Sequence, residues 1–204
     1  MNVIRCEQLK KSYGKHEALR NITFQLEENK LVGVIGRNGA GKTTLLKIVA
    51  GILKKSSGEV EVFGENPFNS LLASVNSIYV DDYMSLPPSL NVSEILEVCA
   101  SFYPNWDEQL AERLFEYFQF HPKQRHTTLS KGKRNLFYNV VGLAARCPLT
   151  IFDEPTTGMD AAVRKDFYRA LLKDYLAHPR TILLSSHHLE EIEDLMEEIL
   201  LIKD

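Results

Sequence analysis

The feature that most constrains the fold is a glycine-rich segment between an apolar run and a helical pattern. The run Leu31–Ile35 (LVGVI) is continuously apolar, as is typical of a strand buried on both faces of a parallel sheet. The helical pattern LLKIVAGIL follows, and Gly51 is expected to end that helix. Between them, residues 36–44 read GRNGAGKTT, which matches G-x-x-x-x-G-K-[ST]. This strand–loop–helix order predicts a loop that binds phosphate.

The residue types in this loop suit phosphate binding. Glycine lets the backbone curl so that several N–H groups point at phosphate oxygens, and each such charge-assisted bond contributes about 1.5–3 kcal/mol. Lys42 is expected to reach the β- and γ-phosphates, and the Thr43 hydroxyl is expected to bind Mg²⁺. The predicted nucleotide-binding residues are Gly36, Arg37, Asn38, Gly39, Ala40, Gly41, Lys42, Thr43 and Thr44. The loop alone does not distinguish kinases, GTPases and ATPases, but the sequence lacks the GTPase motif N-K-x-D.

A second apolar strand ends in two acidic residues. The segment LTIFDE, residues 149–154, places Asp153 where a carboxylate would lie beside Mg²⁺ bound by Thr43. Successive strand residues point to opposite sides, so Asp153 and Glu154 need not share a role. One can bind the metal while the other orients a water molecule. The alternative is that both are solvated acids at the end of a strand.

Strand patterns at both ends of the chain enclose a helical region. Further strands are predicted at residues 3–9, 22–26, 59–63, 77–80 and 181–187. Helical periodicity prevails from about residue 87 to 145, over residues 161–176, and in the acidic run LEEIEDLMEEILLI at 189–202. We therefore predict a single α/β domain, residues 1–204. Residues 1–86 and 146–204 form its core with a parallel sheet, and residues 87–145 form a helical insertion.

Composition excludes several classes of protein. A net charge of −3 argues against a general nucleic-acid-binding surface. Three widely spaced cysteines (Cys6, Cys99 and Cys147) favour a reducing cytoplasm over a disulfide framework. The N-terminus MNVIRCEQLKKS lacks the apolar core of a signal peptide, and no stretch of the sequence approaches 18 uncharged apolar residues. A cytoplasmic protein that does not cross a membrane is expected.

Five ordered features resemble the ATP-binding subunit of ABC transporters, over nearly the whole chain. They are an aromatic residue (Tyr13), the phosphate loop (residues 36–44), an LS-x-G signature (residues 129–132), the acidic strand end (Asp153 with Glu154) and a later histidine (His187). A segment like the family's D-loop, TGMD, lies at residues 157–160. The resemblance implies a P-loop NTPase. Its RecA-like core carries an N-terminal antiparallel β subdomain and a helical subdomain that bears the signature.

The resemblance implies a role for each matching residue. Tyr13 would stack on adenine, with a surface tyrosine as the alternative. Glu154 would polarise the attacking water, and His187 would contact the γ-phosphate or that water, whereas His188 is expected to be a bystander. In this family the signature binds the γ-phosphate of ATP on the facing subunit. The residues implied in trans are Ser130, Lys131 and Gly132, with Asp160 in the D-loop.

The resemblance also implies cofactors, partners and location. The cofactors would be ATP and Mg²⁺. The partners would be membrane-spanning permease subunits and a second ABC ATPase, in a homodimer or heterodimer, with no nucleic acid. The subunit would lie in the cytoplasm, peripheral to the inner face of the cell membrane.

Two departures from the family pattern carry predictions. The signature reads LSKGK where LSGGQ is usual, so Lys131 and Lys133 lie at a helix N-terminus, where the helix dipole disfavours cations. Polyphosphate from a facing subunit would relieve that repulsion. Asp82 aligns with the family's Gln that contacts Mg²⁺ and water, and carboxylate is a hard oxygen ligand. Asp82 is therefore predicted to bind the metal with Thr43 and Asp153, the alternative being a plain loop aspartate.

The predicted function is ATP hydrolysis as a dimer that drives substrate translocation by separate membrane subunits. A partner's cytoplasmic helix is expected to dock near residues 82–90, where Tyr83, Met84 and Leu86 would suit an apolar contact or belong to the core of the insertion. Two alternatives stay open. A soluble ABC ATPase acting on ribosomes or DNA would generally carry two cassettes or a long coiled coil. A nucleotide-binding module with little turnover is disfavoured by Glu154 and His187.

Overall fold

A computed structural model describes residues 2–187, 190 and 192–202. These residues contain eight strands and six α-helices. In chain order they are β1 (Asn2–Tyr13), β2 (His16–Glu27), β3 (Leu31–Ile35), α1 (Lys42–Val49), β4 (Ser57–Val62), α2 (Leu71–Asn76), β5 (Ser77–Val80), α3 (Val92–Phe102), α4 (Glu108–Tyr117), α5 (Lys131–Ala144), β6 (Leu149–Asp153), α6 (Ala161–Ala177), β7 (Thr181–Ser186) and β8 (Glu198–Leu201).

Two sheets form the framework. The larger sheet has the order β5-β6-β7-β3-β8, and all of its neighbouring strands are parallel. The smaller sheet is antiparallel, with the order β2-β1-β4. Strands β3, β6 and β7 are buried along their whole length, which explains the continuous apolar sequence of β3 and the apolar centres of β6 and β7. The predicted α/β fold class is confirmed.

Apolar side chains cover both faces of the parallel sheet. Val32 and Val34 of β3 belong to one hydrophobic cluster with α1 and the antiparallel sheet. Leu31 and Ile35 belong to the other cluster, which includes residues of α3, α4, α5 and α6. This division follows from strand geometry, because successive side chains point to opposite faces. The strands of the parallel sheet are therefore held between two packed layers of side chains.

Side-chain caps define where the helices of the second layer begin. The Asn91 side chain accepts the Glu94 N–H at the start of α3, and the Glu94 carboxylate accepts the Asn91 N–H in return. The Asp107 carboxylate accepts the Leu110 N–H at the start of α4. Each such cap stabilises a helix by about 0.5–2 kcal/mol. Among the helices in the described part of the chain, none is long and apolar enough to span a membrane.

The acidic run near the C-terminus does not form the helix that its spacing predicts. Glu193–Leu195 form a single 3₁₀ turn, and the following residues form β8 against the edge of β3. Hydrogen bonds from the Glu197 N–H to the Leu31 carbonyl and from the Ile202 N–H to the Ile35 carbonyl lie on either side of the paired strand. The helix prediction was wrong because pairing satisfies backbone groups on the edge of β3, a long-range gain that outweighs local periodicity. Residues 189 and 191 of that run lie outside the described residues.

Candidate active site

The phosphate loop joins the buried strand β3 to the first turn of α1. Gly39 and Gly41 adopt φ angles of +89° and +95°, which side chains with a Cβ rarely tolerate. A Cβ on Gly41 would also overlap the carbonyl oxygen of Ala18 on β2. Glycine is therefore required at position 41 both for conformation and for close packing against the antiparallel sheet.

The Lys42 ammonium is held inside this loop. Its Nζ donates to the Gly36 carbonyl over 2.7 Å and to the Arg37 carbonyl over 3.3 Å. The side chain is only 6% exposed, so those carbonyls fix its position. Lys42 therefore presents one localised positive charge to an anion that enters the loop.

Asp153, the last residue of β6, is held by the two flanking strands. Its Oδ1 accepts the Ser185 hydroxyl of β7 over 2.6 Å, and its Oδ2 accepts the Tyr79 hydroxyl of β5 over 2.8 Å. Burial and the nearby Asp153 carboxylate raise the pKa of the Tyr79 phenol well above its ordinary value, so this phenol stays a donor. The Asp153 carboxylate is fixed in place by neutral donors.

Glu154 turns away from Asp153 and has different partners. Its backbone has a φ of +51°, and its N–H donates to the Ser185 hydroxyl over 2.8 Å. Its Oε2 lies 2.7 Å from His187 Nδ1, and its Oε1 lies 3.4 Å from Lys42 Nζ. The unusual φ re-aims the side chain toward the phosphate loop. His188 lies outside the described residues.

A cleft of about 460 Å³ contains most of the predicted residues. It is lined by Tyr13, Arg37, Asn38, Gly39, Gly41, Lys42, Thr43, Thr44, Glu154 and His187. Gly36 and Ala40 belong to the same loop. Tyr13 is 50% exposed, and Lys11 Nζ lies 5.0 Å from its ring centroid. An aromatic surface, a cradle of backbone amides, a buried ammonium and a carboxylate–histidine pair thus share one cleft.

Two of the three predicted signature residues line a different cleft, of about 410 Å³. Ser130 is the N-cap of α5, and its hydroxyl accepts the Lys133 N–H over 3.4 Å. Ser130 and Gly132 line this second cleft with Gly158 and Asp160. Asp160 is the N-cap of α6, where its carboxylate accepts the Val163 N–H over 2.9 Å. Within one chain, the signature and the phosphate loop therefore border two separate cavities.

Gly132→Ala is expected to destabilise the protein by about 1–3 kcal/mol, because the added Cβ would overlap the Gly158 carbonyl oxygen. Without that contact, the same change would stabilise the helix by as much as about 1 kcal/mol. The sign of the change in stability therefore shows whether the contact exists. Urea unfolding of both proteins measures the difference. A more stable Gly132→Ala variant would contradict the packing described here.

Asp82 is paired with the signature helix. Its Oδ2 lies 2.7 Å from Lys131 Nζ, and its Oδ1 accepts a hydrogen bond from the Asn135 amide. The same amide donates to the Thr157 carbonyl over 2.9 Å. The structure thus brings Asp82 to α5, whereas Thr43 lines the phosphate-loop cleft.

Three residues near the site were missed by the sequence analysis. Tyr79 and Ser185 hold Asp153, and His16 lines the phosphate-loop cleft. His16 was recoverable, because a two-residue turn after Tyr13 places it directly across the hairpin. Ser185 has only a weak signal, its place two residues before His187 in a predicted strand. Tyr79 has no signal, because its contact depends on which strands become neighbours.

Comparisons with known proteins agree with this geometry. The family model described as "ABC transporter" matches residues 19–157. The chain is 27% identical over 202 residues to the ABC transporter ATP-binding protein YtrB of Bacillus subtilis, covering 99% of this chain and 69% of that protein. It is 30% identical over 206 residues to the Nod factor export ATP-binding protein I of Cupriavidus metallidurans, covering 98% and 68%.

A solved structure shares the fold. It is the dimeric structure of a post-hydrolysis state of the ATP-binding cassette MJ0796 bound to ADP and Pi. The TM-score is 0.83 at 20% identity, with coverage of 98% of this chain and 94% of that chain. The chain spans about two thirds of the length of YtrB and of the Nod factor export protein.

Proposed function

Because this chain belongs to the ABC transporter family, we propose that it binds and hydrolyses ATP to drive transport by separate membrane subunits. The observation that carries the proposal is the meeting of Lys42, Glu154 and His187 at the phosphate loop. Tyr13 at the same cleft would stack on the adenine, which contributes about 1–3 kcal/mol for a base on an aromatic ring.

The proposed reaction is an in-line displacement by water. Glu154 accepts a proton from the water as the water oxygen bonds to the γ-phosphorus and the bond to the bridging oxygen breaks, which leaves ADP and phosphate. The hydrogen bond from His187 to Glu154 orients the carboxylate, and His187 would also contact the γ-phosphate, since it lines the same cleft as the loop. Lys42 stabilises the negative charge on the phosphates. Positioning and charge stabilisation supply most of the catalysis.

The residues present fit Mg²⁺. The Thr43 hydroxyl and the Asp153 carboxylate are oxygen ligands, the type that Mg²⁺ prefers. Among the described residues, no group of three or more His, Cys, Asp or Glu could hold a metal ion. In nucleotide sites Mg²⁺ is usually bound by one or two carboxylates together with waters and substrate phosphates. When bound, Mg²⁺ would neutralise phosphate charge. Asp82 as a third ligand stays a prediction from the sequence, since in the structure its carboxylate is held at α5 by Lys131 and Asn135.

We propose that the signature acts on ATP bound to a facing cassette. The two separate clefts support this, because Ser130 and Gly132 border one and the phosphate loop borders the other. Lys131 would contact the same ATP as Ser130 and Gly132. Asp160 would hold the adjoining start of α6 in place. The dimeric state of the cassette MJ0796 agrees with such an arrangement. Whether the facing cassette is a second copy or a related chain, the two would enclose two ATP molecules.

The proposed membrane partners are permease subunits, which would hold this subunit in the cytoplasm at the inner face of the cell membrane. The docking segment at residues 82–90 has one strongly exposed aromatic side chain, because Tyr83 is 86% exposed. Met84 and Leu86 pack against the larger hydrophobic cluster instead. We therefore propose Tyr83 as the apolar contact of this segment with a permease helix.

Lys42→Met tests nucleotide binding and is expected to weaken ATP affinity by about 10- to 100-fold, since charge-assisted bonds to phosphate are lost. Titration calorimetry with MgATP measures the dissociation constant. Lys123→Met is the matched control, because it removes the same charge from an exposed position distant in sequence from the loop. Equal affinity of the two variants would refute the proposed site.

A further inference from the structure

The positive charge at the start of α5 is compensated inside the chain. Lys133 Nζ donates to the Phe118 carbonyl and lies 4.6 Å from the Phe120 ring centroid. Lys131 Nζ pairs with Asp82, and the hydrogen bond and charge of Asp82 raise the pKa of Lys131. Both lysines therefore have partners in the isolated cassette.

The two lysines differ in their freedom to change partners. Lys133 is partly buried, and burial lowers its pKa. The Lys131 side chain is 55% exposed, whereas Asp82 is only 21% exposed. Asp82 is also fixed by Asn135, which is 4% exposed and bonds to the Thr157 carbonyl as well. Asp82 is thus the fixed member of the pair and Lys131 the mobile one.

We propose that Asp82 is a positioning residue that holds Lys131 back and so sets the ATP concentration at which two cassettes close. This inference rests on the proposed function, in which the start of α5 meets the γ-phosphate of a facing subunit. A carboxylate and a phosphate compete for one ammonium group. When the dimer closes, Lys131 would leave the single negative charge of Asp82 and bind the greater negative charge of the polyphosphate.

The exchange would also change the segment after β5. When Lys131 leaves, Asp82 retains its hydrogen bond from Asn135 but loses the one ion pair that it makes among the described residues. The freed carboxylate lies at the start of residues 82–90, the proposed docking segment. Closure of the dimer would therefore change the charge at the docking segment, and this one carboxylate would carry the change to the membrane partner.

A double-mutant cycle in the Glu154→Gln background, where ATP persists, tests the inference. Asp82→Asn is expected to lower the ATP concentration for half-maximal dimerisation by about two- to five-fold, the range for a partly exposed ion pair. Lys131→Gln is expected to raise it. The double variant should behave as Lys131→Gln alone, because Asp82 acts only through that lysine. Light scattering against ATP concentration gives all four values.

Controls separate the inference from the proposed function. Lys123→Gln removes an equal charge from an exposed position and should leave the half-maximal concentration unchanged. The Asp82→Asn shift should shrink in high salt, which screens an exposed pair. An equal Asp82→Asn shift with and without Lys131 would overturn the inference while the proposed function stands. If the Glu154→Gln parent binds no ATP, the proposed function itself is overturned.

Discussion

Glu154→Gln is expected to lower ATP turnover by about 10²- to 10⁴-fold, the usual contribution of a group that activates a reacting water by acid–base catalysis. The amide cannot accept the proton that the carboxylate accepts, but its size is the same. The ion pair with Lys42, at 3.4 Å, would be lost, and this leaves the ammonium available to phosphate. ATP affinity should therefore be retained or rise while hydrolysis nearly stops.

The measurement is steady-state phosphate release beside equilibrium binding of MgATP to the same proteins. Glu97→Gln is a matched control, since it removes a carboxylate from an exposed position on α3. The comparison also separates the enzyme from a nucleotide-binding module with little turnover. If the wild type released phosphate as slowly as Glu154→Gln, the module would be the better description.

Segments whose structure is decided locally were predictable from the sequence. Strands β3 and β5 have the predicted bounds, because an apolar run too short for a helix and bounded by turn residues favours a strand. The phosphate loop is likewise a local pattern, in which glycine marks the positive φ angles at residues 39 and 41. The predicted helix over residues 189–202 failed because β8 depends on a neighbour far away in the chain.

The contacts that orient the site could not be predicted, because they arise from the order of strands in the sheet. Tyr79 and Ser185 reach Asp153 only because β5 and β7 are the neighbours of β6. The same holds for the lysines of the signature. Their cost at a helix N-terminus was readable from the sequence, whereas the compensating Asp82 carboxylate became evident only when the chain was folded.

Asp174→Ala is expected to lower the free energy of unfolding by about 3–5 kcal/mol, the range for removing one partner from a buried ion pair. The Asp174 side chain on α6 is 3% exposed and lies 2.8 Å from both Arg146 Nη2 and Arg180 Nη1. Arg146 retains a second partner, Asp107 Oδ2 at 2.6 Å. Arg180, itself 6% exposed, would keep only carbonyl acceptors, so its buried charge would be left without a carboxylate.

Asp166→Ala on the same helix is the matched control for urea unfolding. Asp166 pairs with Arg169 at 3.1 Å on the surface, where such a pair contributes about 0–1 kcal/mol. Replacing Asp174 and Arg180 together by apolar residues of similar size should cost less than Asp174→Ala alone, because Arg146 retains Asp107 and no charge is then stranded. Equal losses for Asp174→Ala and Asp166→Ala would mean that water reaches both carboxylates alike, and the buried network would not be what joins α6 to β7.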